Sequence, residues 1–213
     1  MGGRFKMSSD KFCSRHFFAV FVLLLLSGCI NLAPVKVESQ KIYVLEARPE
    51  VHASKTKRDL VLAVNLPRAL PGFDTPKMVY MQQAHELDYF VSSRWADNPA
   101  RMLEPLLVQA IEQTGSFRGV VKVAGAVPAD IRLDTELIRL QQDFEMQPSR
   151  IRLTLRVQLV DVKGQRVLAV REFEEVENSA TEDAYGGVSA ANRALQRVLV
   201  KVAEFCVAES GGR

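Results

Sequence analysis

Arg150-Ile-Arg-Leu-Thr-Leu-Arg-Val-Gln-Leu-Val-Asp161 decides the fold, because Ile151, Leu153, Leu155, Val157 and Leu159 alternate with Arg152, Thr154, Arg156 and Gln158. A period of two places the apolar set on one face of a strand and the polar set on the other, the pattern of an antiparallel sheet with one buried and one wet face. Upstream, Ile131, Leu133, Thr135 and Leu137 alternate with Arg132, Asp134, Glu136 and Ile138. Downstream, Val160-Asp-Val-Lys-Gly-Gln165 reads as a turn into a return strand over Arg166 to Val176.

Further toward the N-terminus, Ile42 to Leu45 reads as a first strand and Leu60 to Val64, nearly continuous in apolar residues, as a central one. Residues 66 to 76 contain three prolines and a glycine and predict a loop, with Phe73 near its tip. Met78 to Gln82 and Leu87 to Val91 predict a hairpin. Asp97-Asn98-Pro99 is a helix start, a capping side chain followed by proline at the first helical position. Met102, Leu103, Leu106, Leu107, Ala110 and Ile111 give that helix one apolar face ending near Gly115, and Pro105 should kink it or mark its real start. Val120 to Val123 adds a strand, and a last helix runs from Val188 to Val207 after the Gly186-Gly187 pair. Strands, helix, strands, helix predict an α+β fold: a two-layer sandwich whose mainly antiparallel sheet is covered by two principal helices.

The N-terminus carries a different message. Arg4, Lys6, Lys11 and Arg15 precede the apolar run Phe17 to Leu26, the layout of an export signal. That run is about half the roughly 20 residues a helix needs to cross a bilayer. Leu26-Ser27-Gly28-Cys29 then resembles the lipobox of bacterial lipoproteins. The expected organisation is a signal peptide over residues 1–28, a lipidated Cys29 with a tether to residue 41, and a domain over residues 42–209. The residue after Cys29 is Ile30 and not Asp; by the resemblance, this favours the periplasmic face of the outer membrane over retention at the inner one.

Composition narrows the function. Cleavage leaves 185 residues, enough for one domain with a sizeable core. Four of the 28 Lys and Arg and one of the 25 Asp and Glu lie in the leader, leaving 24 of each, so the mature chain has no net charge to draw it to nucleic acid. Cys13 leaves with the leader and Cys29 takes lipid, so Cys206 is a lone thiol. Its neighbours Ala191, Leu195, Val198, Val202 and Phe205 recur at helical spacing, which predicts core packing. His52 and His85 sit in polar stretches without cysteine neighbours, and no metal site or catalytic residue is assigned. The glycines form no phosphate loop, and no nucleophile elbow accompanies the serines. Glu172, Glu174, Glu175 and Glu177 read as a solvated strand end, and Arg152 and Arg156 as cross-strand partners of Asp134 and Glu136 or as a lipid-phosphate patch.

Tyr43-Val-Leu45, Leu66-Pro67, Pro76-Lys-Met-Val-Tyr80, Leu87-Asp-Tyr89, Trp95, Leu106, Gly115-Ser-Phe117 and Arg150 to Arg156 stand in an order that resembles the ABC-type transport auxiliary lipoprotein components, related to the lipoprotein of the paraquat-inducible system. The resemblance implies a non-enzymatic periplasmic subunit of a lipid-transport system, partnered by an MCE-domain protein with its inner-membrane ABC permease and ATPase, and by the membrane through the lipid on Cys29. It implies no cofactor beyond that lipid, and leaves self-association open. A lipoprotein scaffold for another envelope assembly is the alternative. Phe73 is the expected partner contact, against the equal reading that it folds back over the sheet.

Overall fold

The computed structural model describes residues 39–123 and 128–211, so the leader, Cys29 and most of the tether lie outside the described residues. The strands are β1 (Lys41–Tyr43), β2 (Arg58–Val64), β3 (Arg68–Ala69), β4 (Lys77–Met81), β5 (Asp88–Trp95), β6 (Phe117–Lys122), β7 (Ile131–Asp143), β8 (Arg150–Asp161) and β9 (Arg166–Asn178). The helices are α1 (Pro99–Gln113) and α2 (Ala184–Glu209). All the described strands join one open sheet, with both helices against one of its faces.

Strand β7 organises that sheet. Along one edge it pairs antiparallel with β8 from Ile131↔Asp161 to Asp143↔Arg150. Along the other it takes β2, β3 and β4 in series, all parallel, at Leu62↔Ile131, Arg68↔Glu136 and Val79↔Gln141. The chain steps away from β7 twice, at Leu66-Pro67 and across residues 70–76, where prolines remove the donors a ladder requires. Ile138 interrupts the sequence alternation, and the ladder shifts register between Leu137 and Arg139. That extra residue puts Leu137 and Leu140, three apart, on the same buried face.

The predicted α+β fold holds, and the β4–β5 hairpin and the β7–β8–β9 meander stand where the alternation put them. The differences are local. The longest ladders are antiparallel, but β1, β2, β3, β4 and β6 also make parallel ones, because distant segments meet at β7, β5 and β2. The proline-rich stretch contains the two-residue β3, which borrows its pairing from β7. Pro105 lies inside α1, which begins at Pro99 with the Asn98 side chain accepting from the Ala100 N–H at 3.0 Å. Gly186 and Gly187 lie inside α2, whose cap is Asp183, accepting from the Gly186 N–H at 2.8 Å.

Those two glycines are there for space. A Cβ on Gly187 would collide with the Gln142 side-chain carbonyl, and one on Gly186 with the Thr181 backbone carbonyl. Gln142 itself is buried and donates to Ser149 Oγ at 3.0 Å and to the Asp183 carbonyl at 3.2 Å, which ties the end of β7 to the start of α2.

The other tie is between α2 and β9, running antiparallel. Glu177 accepts from Arg193 Nε at 2.7 Å and from Arg197 at 2.8 Å; Glu175 accepts from Arg197 Nε at 2.7 Å and Lys201 Nζ at 2.5 Å. Alternate residues of a strand advance nearly as far as residues four apart on a helix, so the two ladders of charge stay in step. Below them Phe173 meets Phe205 edge to face at 6.0 Å, and the Arg171 guanidinium stands 5.1 Å from the Phe205 ring. The acidic run is thus no simple solvated strand end: Glu175 and Glu177 point inward to hold the helix, while Glu172 and Glu174 face outward. The apolar stripe of α2 covers β8, and Cys206 within it is fully buried.

Burial pushes the Glu175 and Glu177 carboxyls up, but the hydrogen bonds and charges of Arg193, Arg197 and Lys201 outweigh it and hold both below the usual carboxylate value. Folding therefore lowers their affinity for protons, so their contribution is complete above the unfolded value of about 4.3 and is lost as pH falls through the folded values. Glu175→Gln should cost about 1–2 kcal/mol at pH 7 in a denaturant melt, with the gap to wild type closing below pH about 4; a gap independent of pH would refute the clamp. Burial also pushes the Cys206 thiol well above its ordinary range. A thiol reagent should label Cys206 in the native protein far more slowly than in the denatured one, and equal rates would contradict its place in the core.

Candidate functional site

The loop between β3 and β4 is built as a fixed feature. Leu70 N–H donates to the Leu137 carbonyl at 3.0 Å, anchoring its start to β7, and Trp95 N–H donates to the Pro76 carbonyl at 2.8 Å, anchoring its end to β5. Phe73 N–H closes a turn on the Leu70 carbonyl at 3.0 Å. Gly72 holds φ +92°, a left-handed conformation that a side chain would strain, with Leu87 against the space a Cβ would occupy. The Asn98 side-chain amide donates to Asp74, so the residue that caps α1 also holds the loop. Lys77 Nζ lies 5.1 Å from the centre of the Tyr89 ring at the base.

Phe73 is half-buried and packed against the core, the arrangement in which it folds back over the sheet, and Pro71 and Asp74 form the exposed crest. The loop thus offers a shape held from beneath by an aromatic ring.

The wet face of the sheet carries the other polar constellation, a depression of about 500 Å³ lined by Asn65, Arg68, Arg132, Glu136, Arg156 and Gln158 among others. The Arg132 guanidinium grips Asp134 through 2.9 Å contacts, which, against the effect of burial, raises its pKa further. Asn65 Nδ2 donates to the same carboxylate at 2.7 Å. Asp134 is thus held by its own strand and by the residue that follows β2, and the register, with Asp134 opposite Gln158 and Arg152 opposite Gln141, keeps it from being the partner of Arg152. Arg152 reaches Glu174 on β9 at 2.7 Å. Arg156 stands in register between Glu136 and Glu172, with its side chain exposed. Arg68, in register with Glu136 on the other edge of β7, was invisible to sequence reasoning because the β3–β7 pairing joins residues nearly seventy apart.

Chemically, charges of both signs lie here without a base beside a nucleophile, a composition suited to recognition. His85 is exposed with φ +69° in the β4–β5 turn, and His52 is exposed in the stretch before β2. Among the described residues no group of three or more His, Cys, Asp or Glu is placed to hold a metal ion.

Comparison with known proteins agrees with this architecture. A solved Xanthomonas campestris protein of the DUF330 family shares 23% identity and a TM-score of 0.73, over 80% of this chain and 97% of its own. A Chlamydia trachomatis hypothetical protein shares 10% identity and a TM-score of 0.50, over 71% of this chain and 99% of its own. At such identities the likeness is one of fold. No curated protein matches the sequence. The model of the ABC-type transport auxiliary lipoprotein component family matches residues 43–203. That match spans nearly the whole described domain, and the chain belongs to the ABC-type transport auxiliary lipoprotein component family.

Proposed function

We propose that this protein is the non-enzymatic lipoprotein subunit of an ABC/MCE-type intermembrane lipid-transport system, held by the lipid on Cys29 at the periplasmic face of the outer membrane and docking the transporter there. The family match over residues 43–203 carries this reading. The leader ending in Leu26-Ser27-Gly28-Cys29 supports the anchor, and the fixed, proline-bounded loop supports docking. Prolines at 67, 71 and 76 and the bonds to Leu137, Trp95 and Asn98 leave little freedom to be lost on contact, which favours binding. The partner is the MCE-domain protein, and through it the permease and ATPase. The crest of the loop makes the contact, with Phe73 setting its shape.

Two experiments test the reading. Several acyl chains hold a protein firmly where one binds marginally, so wild type should fractionate with membranes and Cys29→Ala should not; a variant processed and membrane-bound like wild type refutes the lipoprotein assignment. Phe73→Ala should lower stability by about 1–3 kcal/mol, since a half-buried ring loses part of its packing. Phe73→Asp should lose co-purification with the MCE-domain subunit under conditions where Cys29→Ala retains it in detergent. Full binding and unchanged melting in both Phe73 variants would remove the loop from the interface.

A further inference from the structure

Exposed apolar side chains are ordinary when scattered, and those of β9 are: Val170 and Val176 flank the outward carboxylates Glu172 and Glu174. Around β1 they are gathered. This strand is three residues long and pairs parallel with β5 through Lys41↔Ser93, Ile42↔Arg94 and Tyr43↔Trp95. Ile42 is 56% exposed, and Val44 just beyond is 44% exposed. Val91 of β5 is 93% exposed, and its carbonyl accepts from Gln40 Nε2 at 3.4 Å, which places it beside the residue that leads into β1. Tyr185, in the first turn of α2, is 61% exposed and stands 6.4 Å from the Tyr43 ring. The corner is firmly held: Ala96 N–H donates to the Tyr43 carbonyl at 2.7 Å, and Asn192 bonds both the Val44 carbonyl and the Glu46 N–H. An aliphatic side chain with nothing over it, on a strand clamped from both sides, is built to meet something outside the domain.

The position of the corner says what. Ser39 opens the described domain and leads directly into β1, ten residue steps along the chain from Cys29. Ten residues span at most about 35 Å, less than the roughly 40 Å diameter expected of a domain this size. A domain on so short a leash presents the side where the leash attaches to the surface at its other end far more often than its remaining sides. Ile42 and Val44 on one face of this edge strand, with Val91 beside its lead-in and Tyr185 next to Tyr43 on the other face, suit a bilayer boundary met edge-on, where an aromatic ring can bury its body and keep its hydroxyl wet.

We propose that the β1–β5 corner rests on the lipid surface that anchors the chain, with Ile42, Val44, Val91 and Tyr185 entering the interfacial layer and the opposite edge, β9, turned toward the periplasm. This orientation rests on Cys29 being the anchor. In the bound state β1 acts as a foot, and the proline-bounded loop and the wet sheet face keep a fixed attitude to the membrane.

The test encodes an environment-sensitive fluorescent amino acid at position 91 and, in a second protein, at position 167 on β9. The mature chain, starting at Cys29, is coupled through that thiol to a maleimide-bearing lipid in phosphatidylethanolamine and phosphatidylglycerol vesicles, which supplies a tether whether or not cells lipidate it. The expected result is a blue shift and several-fold protection from iodide quenching at position 91 with little change at position 167. Combined Ile42→Ser, Val44→Ser and Tyr185→Ser substitutions should remove the protection while leaving the melting temperature unchanged, because these side chains are exposed. Equal quenching at positions 91 and 167 on vesicles overturns the proposal. So does protection at position 91 without vesicles in a protein that runs as a dimer, which would mean that a second copy covers the corner. The mass of the N-terminal peptide from cell-made protein reports separately on natural lipidation.

Discussion

A single strand bonded along both edges to four others constrains everything around it. Strand β7 must offer an unbroken donor and acceptor row to β8 on one side, and on the other must accept β2, β3 and β4 in turn. The second edge is the demanding one, because three separate segments must arrive in parallel register at spacings fixed by the rise of about 3.3 Å per residue. Prolines at 67, 71 and 76 meet that demand by ending each approach where pairing must stop. The protruding loop is therefore a consequence of the sheet: the chain from Ala69 to Val79 has more residues than the stretch of β7 it passes from Leu137 to Gln141 can pair, and the surplus stands out.

Closing the molecule falls to α2, fixed at one end by shape and along its length by charge. At its start Gly187 lets the Gln142 amide lie against the helix backbone and Gly186 lets the Thr181 carbonyl do so, contacts a side chain at either position would block. Along β9 the Glu175 and Glu177 carboxylates are satisfied by three cations from α2, each reaching in from a flexible, half-exposed stem. Exposed ion pairs contribute little singly. These are stronger candidates because Glu175 is only 9% exposed and two cations share it, so leaving it unpaired would cost far more than the pairing yields. The arrangement fixes register more than it adds stability, setting which residues of the apolar stripe meet Phe173 and β8.

What was legible in the sequence followed from periodicity within a segment. Ile151 to Leu159 announced β8 and its two faces, Asn98-Pro99 announced the start of α1, and the stripe through Cys206 announced a buried helix. What was illegible depended on segments distant in the chain. Nothing local to Arg68-Ala69 marks a strand, since its ladder exists only because β7 is beside it. The partner of Arg152 was misassigned because the register of β7 on β8 was not readable: it sets Asp134 opposite Gln158 and Arg152 opposite Gln141, six residues along the ladder, and leaves Glu174 of β9 within reach of Arg152. Likewise the inward pair of the acidic run could not be separated from the outward pair until the helix lay over it. Within the candidate site, the Cys29 reading rests on a local motif outside the described residues, whereas the direction of Phe73 depends on where the loop ends are tied.

Function follows from how the surfaces are shared out. Helices occupy one face of the sheet, and the charges on that side are consumed in holding them. The other face keeps arginines and carboxylates in a shallow open depression, and the loop beside it is held at both ends. A docking module needs a rigid surface whose free state already resembles its bound state, so that little order is left to impose. Several described features make these surfaces rigid: the prolines that shape the loop, the left-handed glycine at its turn, the Asn98 side chain that caps α1 and holds Asp74, and the long edge strand fixed from within by a helix. In the proposed docking role, rigidity is the property that lets a tethered domain hold two other bodies at a set distance.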